Sequence, residues 1–281
     1  RSERRSARSS CARVSRRGVA SLPGMSSDEH PLGWPDDVRT LAIDIGGSGF
    51  KAAVLDPGGV MLTERVRIDT PYPCPPENLV SALTSLTEHL GVYHRVSVGF
   101  PGLVRNGRVR NIPSLSRETY DGDSDPGLEH QWRGFHLANA LQEAFQVPVK
   151  VANDADVQGC GVVAGEGYEF VMTLGTGVGT ALFLDGRLVP HIEGGHAPFR
   201  KDQTFEEQLG NVVRKQIGNE RWRKRVAKAL LAYDRFLFYD TVYVGGGNAK
   251  HLDIDELSRK AKIVPNTAGI TGGVKLWEMD S

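Results

Sequence analysis

Hydrophobic runs and polar turns alternate along this chain in two rhythms. Arg39–Ile45 reads as a buried strand, Lys51–Leu55 as its hairpin partner and Val60–Ile68 as a third strand. The segments between them, Gly46–Gly49 and Pro57-Gly58-Gly59, are turn signals. The period then lengthens. Leu79, Val80, Leu83, Leu86 and Leu90 share one helical face, which predicts a helix over Glu77–Leu90. Arg95–Phe100 returns to strand and is closed by Pro101-Gly102. Beyond a polar loop at 116–130, Leu137–Phe145 reads as helix and Val149–Ala152 as a short strand ending at Asn153-Asp154. Ala155–Ala164 fits a helix starting at that carboxylate. Glu169–Leu174 and Gly179–Leu184 form a hairpin about Gly175-Thr176-Gly177. Phe205–Ile217 and Arg221–Phe238 are amphipathic helices, and Thr241–Val244 is a strand running into Gly245-Gly246-Gly247 with a helix to follow.

This order predicts an α/β chain whose two lobes face a cleft. The expected divisions are an extension over 1–37, a smaller lobe over 38–152 and a larger lobe over 153–281, with the C-terminal segment packing back on the smaller one. No fixed-period repeat is visible.

Composition narrows the class. At 281 residues, 40% hydrophobic and 24% charged, the chain is long enough for two separate cores. No run of eighteen apolar residues occurs, so a transmembrane helix is not expected. Three dispersed cysteines, Cys11, Cys74 and Cys160, form neither a disulfide framework nor a CxxC knuckle, and a reducing cytoplasm is the simplest setting. The neutral balance of 34 basic and 34 acidic residues conceals an asymmetry: residues 1–24 hold seven arginines against Glu3, leaving 27 bases and 33 acids elsewhere. The body is acidic, without a global basic field to hold nucleic acid. The Arg- and Ser-rich leader has the composition of a targeting peptide but no apolar h-region. The simpler expectation is an extension outside the folded body, with Met25 a natural start.

Glycine is where the chemistry concentrates. In Asp44-Ile45-Gly46-Gly47-Ser48-Gly49-Phe50-Lys51, main-chain N–H groups can close on phosphate oxygens with no Cβ in the way, and Ser48 adds a hydroxyl. Asp44 can hold Mg²⁺ through water. The same loop also makes an ordinary glycine hairpin. A second such turn, Leu174-Gly175-Thr176-Gly177-Val178-Gly179-Thr180, and a third, Val244-Gly245-Gly246-Gly247-Asn248-Ala249, follow strands. None is a Walker A loop, since GxxxxGK[ST] is absent. Asp154 stands at a strand-to-helix junction, suited to accepting a hydroxyl proton but equally suited to capping the helix. Glu193-Gly194-Gly195-His196 sets a carboxylate and an imidazole three residues apart, able to chelate vicinal hydroxyls.

These motifs, with Gly99-Phe100-Pro101-Gly102 and Asn153-Asp154-Ala155, occur in an order that resembles the ROK family, and within it the polyphosphate-glucokinase branch, over roughly residues 40–275. The resemblance implies an actin-like (ribonuclease H-like) two-lobed fold and a sugar kinase. Asp154 would take the proton of the sugar 6-hydroxyl, and Asn153, Glu193, His196 and Glu206 would bind other hydroxyls. Glu206 rests on matching Phe205-Glu206 to the family's Leu-Glu. Asp44, Gly46, Gly47, Ser48, Gly49, Lys51, Gly175, Thr176 and Gly177 would hold donor phosphates and Mg²⁺, and Gly246 the far end of the donor, polyphosphate or ATP. A cytoplasmic homodimer is the implied setting, without nucleic-acid or membrane partners.

Two departures matter. Many family members carry a zinc knuckle after the Gly-His pair, whereas His196-Ala197-Pro198-Phe199-Arg200-Lys201-Asp202 has no cysteine, so zinc is not expected. The commoner Glu-Leu/Ile-Gly-His is Glu-Gly-Gly-His here, which bears on sugar identity. A polyphosphate tail needs a cationic grip, for which Arg105, Arg108 and Arg110, or Arg221, Arg223, Lys224 and Arg225, are candidates beside a plain reading as solvated basic faces. The alternatives are an ATP-dependent kinase for mannose or an amino sugar, and a non-catalytic ROK-type sugar-binding regulator. The DNA-binding form of such a regulator needs a helix-turn-helix in front, for which the leader is too short.

Overall fold

The computed structural model describes residues 33–265 and 268–279. Most of the extension expected over 1–37 lies outside the described residues.

The first sheet grows from β1 (Thr40–Gly46) and β2 (Gly49–Leu55), an antiparallel hairpin folded about Gly47-Ser48. β3 (Val66–Ile68) extends it antiparallel at one edge. The chain crosses through α1 (Pro76–Thr87) to β4 (Arg95–Phe100), which lies parallel to β1. A small hairpin, β5 (Leu103–Arg105) and β6 (Arg108–Asn111), leads to α2 (Pro126–Trp132) and α3 (Leu137–Phe145). β7 (Val149–Asn153) completes the order β3-β2-β1-β4-β7. Leu41, Ile43, Ile45, Val96 and Val98 are buried in one core with Leu79 and Leu83 of α1 and Leu137 and Leu141 of α3.

After α4 (Asp154–Cys160) the pattern recurs. β8 (Tyr168–Leu174) and β9 (Val178–Leu184) form an antiparallel hairpin about the second glycine turn, and the short β10 (Arg187–Leu188) extends it. A two-stranded ribbon, β11 (Pro198–Arg200) and β12 (Gln203–Thr204), opens into α5 (Phe205–Leu209), α6 (Asn211–Ile217) and α7 (Asn219–Leu237). β13 (Thr241–Gly245) and β14 (Ala261–Ile263) then add in parallel, giving the order β10-β9-β8-β13-β14. Each sheet is thus a three-stranded meander with two parallel strands beside its first strand. α8 (Ala268–Lys275) returns to the first sheet, where Ile270 and Val274 bury with Ala42, Ala53 and Leu55. Gly273 permits this approach, since a Cβ there would meet Ala42 and Ser97 at 3.0 and 3.1 Å, while Gly272 lets the helix lie against the Val157 carbonyl of α4.

Several sequence expectations need correction. Of the strand expected over Val60–Ile68, only Val66–Ile68 forms a strand, with a single bridge from Met61 to Leu55 before it; Asp56 caps a tight turn at Val60 (2.8 Å), and Thr63 Oγ1 takes the Val54 N–H (3.0 Å). Val60, Met61 and Leu62 are left exposed, so their apolar character reflects no core. The loop at 116–130 contains the start of α2, capped by Asp125 Oδ1 on Leu128 N (2.7 Å). The helix expected to Ala164 stops at Cys160, and beyond it the Glu169 carboxylate collects the N–H groups of Ala164 and Gly165 at 2.7 and 2.8 Å. The helix expected over Phe205–Ile217 is broken at Gly210, whose ψ of 161° is extended. After the third glycine turn comes a single 3₁₀ turn, Ala249–His251, rather than a helix. Among the described residues no helix is long and apolar enough to cross a membrane.

Candidate active site

The carboxyl ends of parallel strands expose backbone and side chains at the edge of a sheet, where α/β proteins place ligands. In the first sheet Asp44 of β1 pairs with Gly99 of β4, and Gly99 with Ala152 of β7, so Asp44 and Asn153-Asp154 lie near the ends of the two strands that flank β4. Asn153 is the N-cap of α4: its Oδ1 accepts from Ala155 N (2.8 Å) while its Nδ2 donates to Gly102 O (3.1 Å). Asn153 carries the cap, and Asp154 at the first helical position shares the same Ala155 N–H (2.9 Å), its one hydrogen bond among the described residues. Burial, then the charge of Asp44, push the Asp154 carboxyl up to about 7, with smaller pushes from Glu193 and Asp156. A carboxylate poised near neutrality is suited to accept a proton and then release it.

The first glycine turn is held from behind. Thr70 Oγ1 donates to Gly46 O (2.7 Å), the Tyr72 hydroxyl lies 2.8 Å from Gly47 O and 2.9 Å from Ser114 O, and Arg67 Nη2 reaches Ser48 O (3.1 Å). A trans peptide points its C=O and N–H in opposite directions. Tying the carbonyls of Gly46 and Gly47 to Thr70 and Tyr72 therefore turns the N–H groups of Gly47 and Ser48 away from that backing. Lys51 closes on Asp44 Oδ2 at 2.8 Å, across the hairpin from it in register.

The second turn is held by backbone and one amide. Asn248 of the third turn gives its N–H to Leu174 O and its Nδ2 to Gly175 O, both at 2.9 Å. Asn211 N, at the start of α6, lies 3.2 Å from both Gly175 O and Thr176 O. The same planarity turns the N–H groups of Thr176 and Gly177 outward. The break at Gly210 is what brings the α6 terminus here. Gly246 allows the third turn to approach: its φ is +84°, and a Cβ would meet the Leu174 backbone at 2.5–2.8 Å.

The loop from 191 to 196 lies along β9. Thr180 Oγ1 donates to Ile192 O and accepts from Gly194 N, both at 3.0 Å, and the Tyr233 hydroxyl donates to Gly194 O at 2.9 Å. Between these anchors Glu193 is partly buried and electrostatically coupled to Asp154, while His196 is exposed and coupled to Glu193. Glu206 Oε2 lies 3.3 Å from Val178 N, against the second glycine turn. Asp44, Asp154 and Glu193 thus act on one another by charge, Gly175 meets Asn248 beside Gly246, and Thr176 meets the Asn211 N–H. Of the basic groups, Arg223 bonds His251 O (2.7 Å) beside the third turn, and Arg108 bonds Gly134 O (3.1 Å) away from it.

Sequence reasoning missed Thr70, Tyr72, Arg67, Asn248, Asp156 and His191. Asp156 and His191 form a buried pair at 2.9 Å. Their signals in the chain are single polar residues without periodicity; the acidic pair in Asn153-Asp154-Ala155-Asp156 was the one available hint. A hollow of about 360 Å³ lined by Thr84, Glu88, Tyr93 and Phe145 lies on elements that carry none of these groups.

Two equivalent hairpins, each presenting a glycine turn, with a carboxylate between the sheets, define a two-lobed α/β protein of the actin-like phosphotransferase class. The model of the ROK family matches residues 40–204, and the chain belongs to that family. It is 27% identical over 269 aligned positions to a polyphosphate glucokinase of Mycobacterium tuberculosis, covering 90% of this chain and 93% of the relative. The crystal structure of an inorganic polyphosphate/ATP-glucomannokinase from Arthrobacter sp. strain KM superposes with a TM-score of 0.72 at 28% identity, over 86% of this chain and all of that one. A ROK family glucokinase from Streptomyces griseus, solved with glucose and AMPPNP, shares the fold at a TM-score of 0.69 and 18% identity, over 85% of this chain and 98% of that one.

Proposed function

We propose that the protein is a sugar kinase that transfers a phosphoryl group from polyphosphate or ATP to the 6-hydroxyl of glucose. The observation that carries this reading is the place of Asp154, which opens α4 directly after β7 with Asn153 holding the cap, where burial and the charges of Asp44 and Glu193 raise its carboxyl. As the sugar oxygen forms its bond to phosphorus, Asp154 accepts the hydroxyl proton. The bond from that phosphorus to the donor's bridging oxygen breaks, and ADP or a polyphosphate one unit shorter leaves with the electron pair. Little covalent work falls to the protein, so the rate comes from positioning and from N–H groups aimed at phosphate oxygens. The N–H groups of Gly47, Ser48, Thr176 and Gly177 fit that task. Glu193 and His196 would hold sugar hydroxyls, with Glu206 bracing the second turn from the same side.

Mg²⁺ binds through few protein oxygens and keeps water and phosphate ligands. The Asp44 carboxylate, partly exposed and already balancing Lys51, fits such a role, and the ion would neutralise charge on the donor phosphates. The Arthrobacter enzyme carries both polyphosphate and ATP in its name, which supports either donor, and Arg223, bonded to His251 O beside the third turn, would be a cation for the far end of the donor. The cytoplasmic homodimer expected from the family belongs to the same proposal.

Detection of the acceptor's own 6-phosphate, with polyphosphate or ATP as sole donor and glucose, mannose or glucosamine as acceptor, tests the reading. Turnover of glucose with at least one donor is expected. Sugar binding without turnover for every pair would instead favour a non-catalytic regulator.

A further inference from the structure

We infer that Asp156 and His191 are positioning residues that hold the Glu193 carboxylate toward the sugar. The inference rests on the kinase reading. Asp156 lies two residues after the candidate base, and its Oδ1 is 2.9 Å from His191 Nδ1; both side chains are only 4% exposed. A buried carboxylate is costly without a partner that carries charge or donates a hydrogen bond. His191 supplies one. The other ring nitrogen, Nε2, is buried without a hydrogen-bond partner. Glu193 Oε1 stands 3.6 Å from it, ion-pair distance but beyond a hydrogen bond.

The electrostatics agree with this geometry. Burial lowers the His191 pKa, but the Asp156 and Glu193 contacts outweigh it and carry the ring up to about 9, so both ring nitrogens hold protons at neutral pH. Burial works to raise Glu193, yet His191, and after it His196, bring its carboxyl below the ordinary value. The backbone on either side of Glu193 is already pinned through Thr180 and Tyr233. The remaining freedom is the Glu193 side chain itself. An Nε2–H aimed at Oε1 restrains it and leaves Oε2 for a ligand hydroxyl.

The test is steady-state kinetics of the full chain with glucose as acceptor and the better of ATP and polyphosphate as donor. The variants are His191→Gln, the near-isosteric Asp156→Asn, Glu193→Gln and the His191→Gln/Glu193→Gln pair. Each single change is expected to raise the glucose KM roughly tenfold, as the Glu193 carboxylate loses either its charge or the charge that restrains it. The donor KM should stay within about twofold. In the Glu193→Gln background the His191 change should add less than about twofold, because no carboxylate remains to be held. A folded His191→Gln or Asp156→Asn enzyme with the wild-type glucose KM would overturn the inference alone. So would effects of His191→Gln and Glu193→Gln that multiply, which is the behaviour of a purely structural pair. A wild-type protein that phosphorylates no sugar would overturn the kinase reading and this inference together.

Discussion

The two glycine turns sit at the same place in two sheets of the same strand order, yet they are braced by different means. The turn between β1 and β2 leans on side chains from one neighbouring segment: Thr70, Tyr72 and Arg67 hold the carbonyls of Gly46, Gly47 and Ser48. The turn between β8 and β9 leans on another turn and a helix start, through Asn248 and the Asn211 N–H. Both solutions present the same groups, because a peptide plane held by its oxygen has its N–H aimed for it. They differ in what breaks them. The first can lose one hydroxyl and keep its backbone. The second depends on backbone approach, so damage to the third turn spreads to it.

Of the changes to the turns, the largest effect should come from Gly246→Ala. A residue at φ +84° with its Cβ 2.5–2.8 Å from the Leu174 backbone must push the third turn away. Strain of about 1–3 kcal/mol plus the lost bracing should lower kcat/KM for the donor roughly a hundredfold, with a smaller change in the glucose KM. Asn248→Ala removes one of the braces while sparing the backbone contact, and about tenfold in donor KM is expected. Tyr72→Phe, which takes one shared hydroxyl from the first turn, should cost about threefold to tenfold in donor KM. Equal losses from Gly246→Ala and Tyr72→Phe, in parallel donor titrations, would erase the distinction between the turns.

The smallest effect is on stability rather than turnover, and it concerns the Asp154 carboxylate. Asp154 ionises less readily in the folded state than in the unfolded chain, so stability is lost as pH rises from the ordinary carboxylate range through about 7. Asp154→Asn removes that loss. Its melting temperature relative to wild type should therefore climb between pH 5 and 8, by about 2–4 °C for each kcal/mol relieved. Over the same range kcat/KM for glucose in the wild type should rise with pH and level off above about 7, as the base deprotonates.

Much of this arrangement was legible in the chain, for physical reasons. Arg95–Phe100 and Leu137–Phe145 match their expected bounds because buried strands and amphipathic helices impose their own period. The three turns were visible because close backbone approach selects glycine, and Asp154 because it follows a strand and opens a helix. The bracing was not legible. Tyr72 meets Gly47 across 25 residues and Asp156 meets His191 across 35, contacts that leave no local pattern. Gly210 was read as one more residue of a helix, although its extended backbone delivers Asn211 to the second turn. Val60–Leu62 shows the converse, an apolar run read as strand and found exposed.

The central claim is that Asp154 is the base of a sugar kinase. Its most direct test is glucose 6-phosphate formation by Asp154→Asn, measured beside glucose affinity by calorimetry. The account predicts turnover lower by about 10²–10⁴ with the dissociation constant for glucose little changed. Near-wild-type turnover in that variant would contradict it.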